Sequence, residues 1–317
     1  MANEVTTSTL DDLTHATLVQ PVVIAALAEI SGFQRFAREF NILDQPTAGA
    51  KIPTETSWWG SANDDGAGVD TEFDGTQATD LSNTAASTGS VTCTPGEYGV
   101  AMEITDNVTE DSVRGVDVYS WLEGRHLTAI SLAMTDDFLA LLASLSNSVG
   151  STGVDLTVAQ LIAAQQGLRV RGAVSDTTVY ILDNQQVSDI EAALIAGSTS
   201  AAVYALSADR LIGYAPTMNN GMDASRQVMT FRGLPVFATG LTDTANTGAD
   251  VVGACFCVST AQNDATGATT FGQAWKRLPR LETDRIIHGR STALVTTARW
   301  GCCELQDGSG TAIITDA

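Results

Sequence analysis

The longest regular pattern of apolar positions lies at residues 117–145. Apolar side chains recur there at spacings of three and four, as on one face of a helix. They are Val118, Trp121, Leu122, Ile130, Ala133, Phe138, Leu141, Leu142 and Leu145. The pattern predicts one helix about 43 Å long, capped by Asp117 and ended by polar residues 146–150. Such a helix is either the core helix of a large α+β domain or a rod that carries an elongated subunit.

After this helix, helical and strand patterns alternate. A second amphipathic helix is predicted to start at Asp155 or Thr157, and a third to cover residues 184–196. Apolar runs predict buried strands, broken by Gly-Pro punctuation in the second case. These strands are residues 179–182, 231–238 and 251–259. Alternating segments with Gly-containing turns over residues 283–315 predict a β-meander.

Residues 1–44 form a first segment with an apolar, helix-compatible run after Pro21. Phe33, Phe36 and Phe40 continue the run with spacings of three and four. Two interpretations remain open. The segment is a helix packed on its own domain, or it is an arm that docks on a neighbouring subunit.

The character of the chain changes over residues 45–104. Residues 50–56 predict a strand and residues 90–104 a long return strand, separated by some thirty residues rich in Gly, Ser, Thr, Asp and Asn. Because a structureless loop of that length is unusual in a compact domain, we expect an extended two-stranded flap that contacts another chain. Trp58 and Trp59 are predicted to anchor the flap. The acidic tract 64–70 lacks the ligand order of an EF-hand, which favours a solvated turn.

The formal net charge is −21, and Lys51 and Lys276 are the only lysines. Such a chain would be repelled by phosphates, which argues against sequence-specific nucleic-acid binding. We find no run of about 18 apolar residues and no basic region before an apolar block, so we expect neither a membrane span nor a secretory signal.

Five cysteines, an odd number without a signal, indicate a reducing compartment. Cys255 with Cys257 and Cys302 with Cys303 could supply four thiolates to zinc, but neither pair has the usual spacing. Since neighbouring residues of a strand point to opposite faces, the pattern favours buried structural thiols.

We find no nucleophile elbow, P-loop or dinucleotide fingerprint. The three histidines, His15, His126 and His288, are too far apart for a local metal motif, and surface or interface roles are expected for His126 and His288. We therefore predict no catalytic site, no metal and no cofactor.

Cationic residues cluster near the C-terminus against an acidic background. They are Lys276, Arg277, Arg280, Arg285 and Arg290. One interpretation is a set of salt bridges along the terminal hairpin. The other, which we favour, is a contact strip for an acidic face of a neighbouring copy.

The order of these parts resembles the major capsid proteins of tailed bacteriophages, with the Hong Kong ninety-seven-type fold. The likeness covers nearly the whole chain and rests on order more than on single motifs. Its motifs are the opening MANEVTTSTL with residues 20–23, the flap entry 51–53, residues 97–106 and residues 233–236.

This resemblance implies five parts within an α+β fold. They are an N-terminal arm (1–44), an extended E-loop hairpin (45–104), a P-domain with a long spine helix (105–170), an α/β A-domain (171–272) and a P-domain return hairpin (273–317).

The resemblance also implies a non-enzymatic shell protein whose hexamers and pentamers enclose double-stranded DNA. Its implied partners are other copies of itself, a portal protein, and scaffold or decoration proteins, with no membrane. The implied place is the virion, after synthesis in the host cytoplasm. Encapsulins share the fold, so an encapsulin-like nanocompartment is the alternative. A secreted acidic enzyme or adhesin and a tail-tube or decoration protein are weaker alternatives, lacking a signal or the long helix.

Overall fold

A computed structural model of the protein describes residues 4–5, 32–43, 46, 48–57, 87–111, 118–173, 178–197, 212–214, 227–258 and 269–317. These residues form a mixed α/β fold with three sheets. The helices are α1 (Asp106–Asp111), α2 (Val118–Ala140), α3 (Val158–Val170) and α4 (Asn184–Gly197). The strands are β1 (Glu4–Val5), β2 (Arg38–Asn41), β3 (Ala50–Ser57), β4 (Ser87–Cys93), β5 (Gly96–Thr105), β6 (Ser148–Gly150), β7 (Thr178–Asp183), β8 (Ile212–Tyr214), β9 (Gln227–Phe231), β10 (Leu234–Thr239), β11 (Thr244–Ala245), β12 (Asp250–Cys257), β13 (Phe271–Ile286), β14 (Ser291–Glu304) and β15 (Gly310–Asp316).

The first sheet has the strand order β1-β5-β14-β13-β2. Its centre is the antiparallel hairpin β13–β14, in which Phe271 lies opposite Glu304 and Ile286 opposite Ser291. β5 pairs antiparallel with β14, while β1 and β2 join the two edges in parallel. This long hairpin determines where the C-terminal cations lie.

The second sheet has the order β6-β15-β12-β7-β10-β9-β8, with β11 beside β12. Its central strands β7 and β12 are buried along their whole length. In β7, Val179 and Ile181 face one core, whereas Tyr180 and Leu182 face another. A sheet covered on both faces needs continuous apolar strands, which is why the runs at 179–182 and 251–259 were recognisable.

Helix α2 packs against both large sheets. Near its start, Leu122 lies in a core cluster with Ile104 and Leu294 of the first sheet. Near its end, Phe138 and Leu142 pack in the core of the second sheet. The long predicted helix is confirmed, and at about 1.5 Å per residue it connects the cores of the two sheets. Asp117, its predicted cap, lies outside the described residues.

Helices α3 and α4 cover the other face of the second sheet. Leu161 and Leu168 of α3 and Ile190 of α4 share a core with the sheet. The start of α3 is the predicted Thr157, which forms a capping box with Gln160: each side chain accepts a hydrogen bond from the other residue's backbone. Both predicted helices are confirmed.

The predicted long strand at residues 90–104 is wrong in one respect. It is divided at Thr94–Pro95 into β4, which pairs with β3, and β5, which pairs with β14. Proline has no backbone N–H for a ladder hydrogen bond, so the break separates a two-stranded flap from the first sheet. We call residues 50–57 with residues 87–93 the flap arms.

Three other predicted elements differ from the structure. Residues 231–238 form two strands, because Arg232 and Gly233 both have positive φ, 51° and 82°, and make a hairpin turn. The meander is wrong in its last strand, since β15 pairs with β12 and β6 of the second sheet. The end of α2 is a 3-10 turn, Leu141–Ser144, and Ser148–Gly150 is a strand.

The described part of the N-terminal segment packs on its own chain. Phe33 is buried, and the ring of Phe36 lies 5.0 Å from that of Phe237 in the second sheet. The helical spacing predicted there is a short 3-10 helix, Phe33–Phe36, followed by β2. The helix-compatible run after Pro21 lies outside the described residues.

Candidate assembly surfaces

The tip of the β13–β14 hairpin presents apolar side chains to solvent. Ile287, in the turn of residues 287–290, is 78% exposed, and Ile286 before it is 36% exposed. Ile287 is the most exposed large apolar side chain in the described part of the chain. Burying an exposed side chain of this size stabilises a contact by about 1.5–3 kcal/mol, so the tip is suited to bind another protein.

Asp106 holds this tip in position. Its backbone N–H donates to the carbonyl oxygen of Arg290 at 2.9 Å. Its carboxylate accepts hydrogen bonds from both terminal nitrogens of Arg285, one of them at 2.6 Å, and lies 3.8 Å from Arg290 Nε. Hydrogen bonding from Arg285 lowers the pKa of the Asp106 carboxyl. The apolar turn is therefore attached to the start of α1.

The structure places the five predicted cations along β13 and its turn. Arg277 pairs with Glu97, Arg280 with Glu282 at 3.2 Å, and Arg285 and Arg290 with Asp106. Lys276 Nζ donates to the carbonyl oxygen of Ile42 at 3.4 Å. The salt-bridge interpretation thus describes the four arginines within one chain, and a contact strip for a neighbouring copy stays a prediction.

The outer edge of β13 is protected against unwanted pairing. β2 covers only residues 272–275, and no other described strand pairs with this edge. Register shifts between Trp275 and Arg280 mark a bulge that contains Pro279. Charged side chains, a bulge and proline all discourage strand addition at an open edge. Contacts of this hairpin are therefore expected through its side chains.

The flap arms project from the body. They pair antiparallel from Ala50 opposite Cys93 to Ser57 opposite Ser87, and Ala50 and Cys93 at their base lie in a small core cluster with the first sheet. Lys51 and Pro53, further along, are exposed. Trp58, Trp59 and the acidic tract 64–70 lie outside the described residues, so their roles stay predictions.

His126 is a core residue, so the expected surface or interface role is wrong for it. It is fully buried between α2 and β14, and its Nδ1 lies 3.0 Å from Thr296 Oγ1. Its Nε2 has no hydrogen-bond partner among the described residues. Burial lowers the pKa of His126 because it disfavours the charged ring. His288, in contrast, is exposed in the hairpin turn.

Acidification is expected to destabilise the wild-type protein more than a His126→Gln variant. In the unfolded chain the imidazole takes up a proton near pH 6.5, whereas the folded state with its lowered pKa does not. The unfolded state then binds more protons, and stability falls below that pH by at most about 1.4 kcal/mol per pH unit. Urea unfolding at several pH values between 7 and 5 measures the difference, and identical pH slopes for both proteins would contradict it.

The cysteines lie in separate cores. Cys255 and Cys257 face the core between the second sheet and α3, where burial raises the pKa of Cys255 above its usual value. Cys303 lies in the cluster at the flap base, and Cys302 packs on the opposite face of β14. Among the described residues no group of three or more His, Cys, Asp or Glu could hold a metal ion.

Residues Val118–Ser144 form a helix that is long and apolar enough to cross a membrane, although the sequence was expected to contain none. The same helix packs against the first sheet through Leu122 and Ile130 and against the second through Phe138. Contacts with two sheets are those of a core helix in a folded domain.

Sequence reasoning missed the apolar tip and its anchor. The available signal was Ile286 and Ile287, two consecutive apolar residues between charged residues and directly before a Gly turn. Strict alternation would have placed one of them on a polar face. Asp106 was considered only as a helix cap, because its contacts with Arg285 and Arg290 span some 180 residues.

No protein-family model and no curated protein matches the chain. Solved structures do. The capsid of cyanophage P-SCSP1u has a TM-score of 0.64 and 13% identity, over 96% of this chain and 94% of that one. The head of Helicobacter pylori bacteriophage KHP40 has a TM-score of 0.63 and 13% identity, over 98% and 96%. Mycobacterium phage Che8 has a TM-score of 0.61 and 11% identity, over 94% and 96%.

These likenesses extend over nearly the whole of both chains, at identities that establish the fold alone. The mixed α/β architecture, the long helix and the paired flap arms agree with them. The chain therefore has the fold of the tailed-bacteriophage major capsid proteins.

Proposed function

We propose that the chain is a major capsid protein that assembles through hexamers and pentamers into an icosahedral shell around double-stranded DNA. The observation that carries the proposal is the likeness to phage capsids over at least 94% of this chain and of each chain compared above. The exposed apolar tip and the projecting flap arms supply the surfaces that repeated contacts between copies require.

In this proposal the chain is divided into five parts. Residues 1–44 are the arm, 45–104 the E-loop, 105–170 the P-domain with α2 as its spine, and 171–272 the A-domain. Residues 273–317 return to the P-domain through the hairpin β13–β14, whereas β15 pairs within the second sheet beside β12.

The charge of the chain defines how the shell relates to its contents. At −21 per subunit, the protein repels DNA, so the shell confines the genome without sequence-specific binding. DNA must then be pumped in through a portal protein by a motor, and scaffold or decoration proteins are further partners. The chain acts without enzymatic activity or cofactor, is made in the host cytoplasm, and has its place in the virion capsid. An encapsulin-like shell is not favoured, since the similar structures are phage capsids.

Electron microscopy of the purified full chain tests the proposal. We expect closed particles, or rings of five and six subunits, at concentrations where exposed interfaces associate. Monomers that stay dispersed at high concentration, with or without added scaffold and portal proteins from the same source, would sink it.

Assembled shells are expected to dissociate into single subunits on a denaturing gel, without covalent multimers. The flap tip, residues 58–86, contains no lysine, and Lys51 lies at the flap base in β3. A lysine-dependent isopeptide bond between flap tips therefore has no amine to form it. Boiled shells on reducing SDS gels provide the measurement. A ladder of multimers that survives reductant would contradict the expectation.

A further inference from the structure

Two thiols meet where the flap arms join the body. Cys93 is the last residue of β4, and Cys303 lies in β14. Cys93 is fully buried and Cys303 is 9% exposed, and both belong to one small apolar cluster. The Cys303 thiol donates a hydrogen bond to Cys93 Sγ. Cys93 Sγ also lies 3.1 Å from the carbonyl oxygen of Gly301.

Two glycines allow this close approach. A Cβ on Gly301 would lie 2.5 Å from the carbonyl oxygen of Thr94, and a Cβ on Gly49 would lie 2.8 Å from that of Cys93. Any side chain at either position would force the end of β4 away from β14. The backbone is thus arranged so that the two sulfur atoms are neighbours although 210 positions separate them in sequence.

We propose that Cys93 and Cys303 are a redox-modification site, at which a small peroxide forms a disulfide that joins the base of the flap arms to the first sheet. A peroxide is the oxidant that fits, since the pair is buried and a larger disulfide reagent could not reach it. The bond would fix the flap arms to β14 in each subunit without requiring a second copy.

The chemistry follows from the hydrogen bond between the thiols. Cys303 donates to Cys93, which lowers the pKa of Cys93 and favours its thiolate, the nucleophilic form. Cys93 Sγ attacks one peroxide oxygen, breaks the O–O bond and becomes a sulfenic acid, releasing water after protonation. Cys303 Sγ then attacks Cys93 Sγ, and the displaced hydroxide leaves with the Cys303 proton as a second water. Two thiols lose two electrons, and hydrogen peroxide is reduced to two waters.

Oxidation of the purified full chain with a few equivalents of hydrogen peroxide tests the site. After alkylation under denaturing conditions and digestion without reductant, mass spectrometry is expected to find a peptide linking Cys93 to Cys303. The thermal midpoint should rise by about 10 °C, because the bond closes a very long loop. Dithiothreitol should reverse both changes.

Matched variants identify the thiols. Cys93→Ser and Cys303→Ser should lose the link and the shift in midpoint, whereas Cys302→Ser, one residue away on the opposite face, should retain both. A link through Cys302, or sulfinic acid without any link, would overturn the proposal. The peptide map of the wild-type chain decides the matter even where a serine variant folds poorly, and circular dichroism identifies such a variant.

Discussion

Replacing Ile287 with aspartate is expected to abolish closed particles while the subunit keeps its fold. Ile287 is 78% exposed, so the isolated subunit loses almost no packing. In an assembled shell a carboxylate at the tip would be buried without a partner, which costs several kcal/mol at each contact. Because symmetry repeats every contact, the penalty is multiplied over the whole shell.

Size-exclusion chromatography with light scattering and electron microscopy measure this result, and circular dichroism checks the fold. Ile287→Val is the conservative control and should assemble normally. Val170→Asp is the matched control, since Val170 is the second most exposed large apolar residue among those described, at 66%. Normal particles from Ile287→Asp would show that the tip is not a contact. Equal loss from both aspartate variants would show that the effect is not specific to the tip.

Replacing Trp300 with alanine is expected to lower the free energy of unfolding by about 3–5 kcal/mol. Trp300 is fully buried in β14 between Ile130 and Met134 of α2 and the ring of Tyr98. That ring is stacked on it with centroids 3.9 Å apart. The substitution removes the largest fully buried side chain among the described residues, and the cavity lies where the long helix contacts the first sheet.

A second loss adds to the cavity. Trp300 Nε1 donates to Asp137 Oδ2 at 2.8 Å, and the same carboxylate accepts from the Tyr98 hydroxyl. Together with burial of the Tyr98 ring, this raises the pKa of Tyr98 to about 12. Alanine leaves Asp137 with one partner fewer in a half-buried position, which costs a further part of the hydrogen-bond energy.

Urea or guanidinium unfolding, followed by far-ultraviolet circular dichroism, gives the loss directly. Trp300→Phe should lose less, because a ring still fills the space although the hydrogen bond to Asp137 is absent. Trp275→Ala in the partner strand is the matched control, since that ring is only partly buried. A loss below about 1 kcal/mol for Trp300→Ala, or equal losses at both tryptophans, would contradict this account.

Periodicity predicted those elements whose surroundings are uniform along their length. Helix α2 shows the helical spacing because one side of it faces apolar cores from Val118 to Phe138. The start of α3 was predictable because Thr157 and Gln160 cap it locally, without help from distant residues. The strands β7 and β12 were recognisable as apolar runs because both faces of their sheet are covered.

Elements defined by distant partners were not predictable in this way. The division of residues 90–104 depends on where β14 lies, since β5 pairs with it and β4 does not. β15 follows β14 directly, yet it crosses to the second sheet because β12 and β6 offer it two hydrogen-bonded neighbours. A pattern along the chain reports which residues are buried, but not which strand lies beside them.

The sequence by itself determined the long helix, the buried strands, the acidic character and the order of parts that resembles phage capsid proteins. Each of these depends on local spacing, capping or composition, which the chain carries wherever it folds. Only the tertiary structure decided that Asp106 holds the apolar tip, that His126 is buried against Thr296, and that Cys93 meets Cys303. These contacts join residues more than a hundred positions apart, and their geometry exists only once both sheets have packed on the long helix.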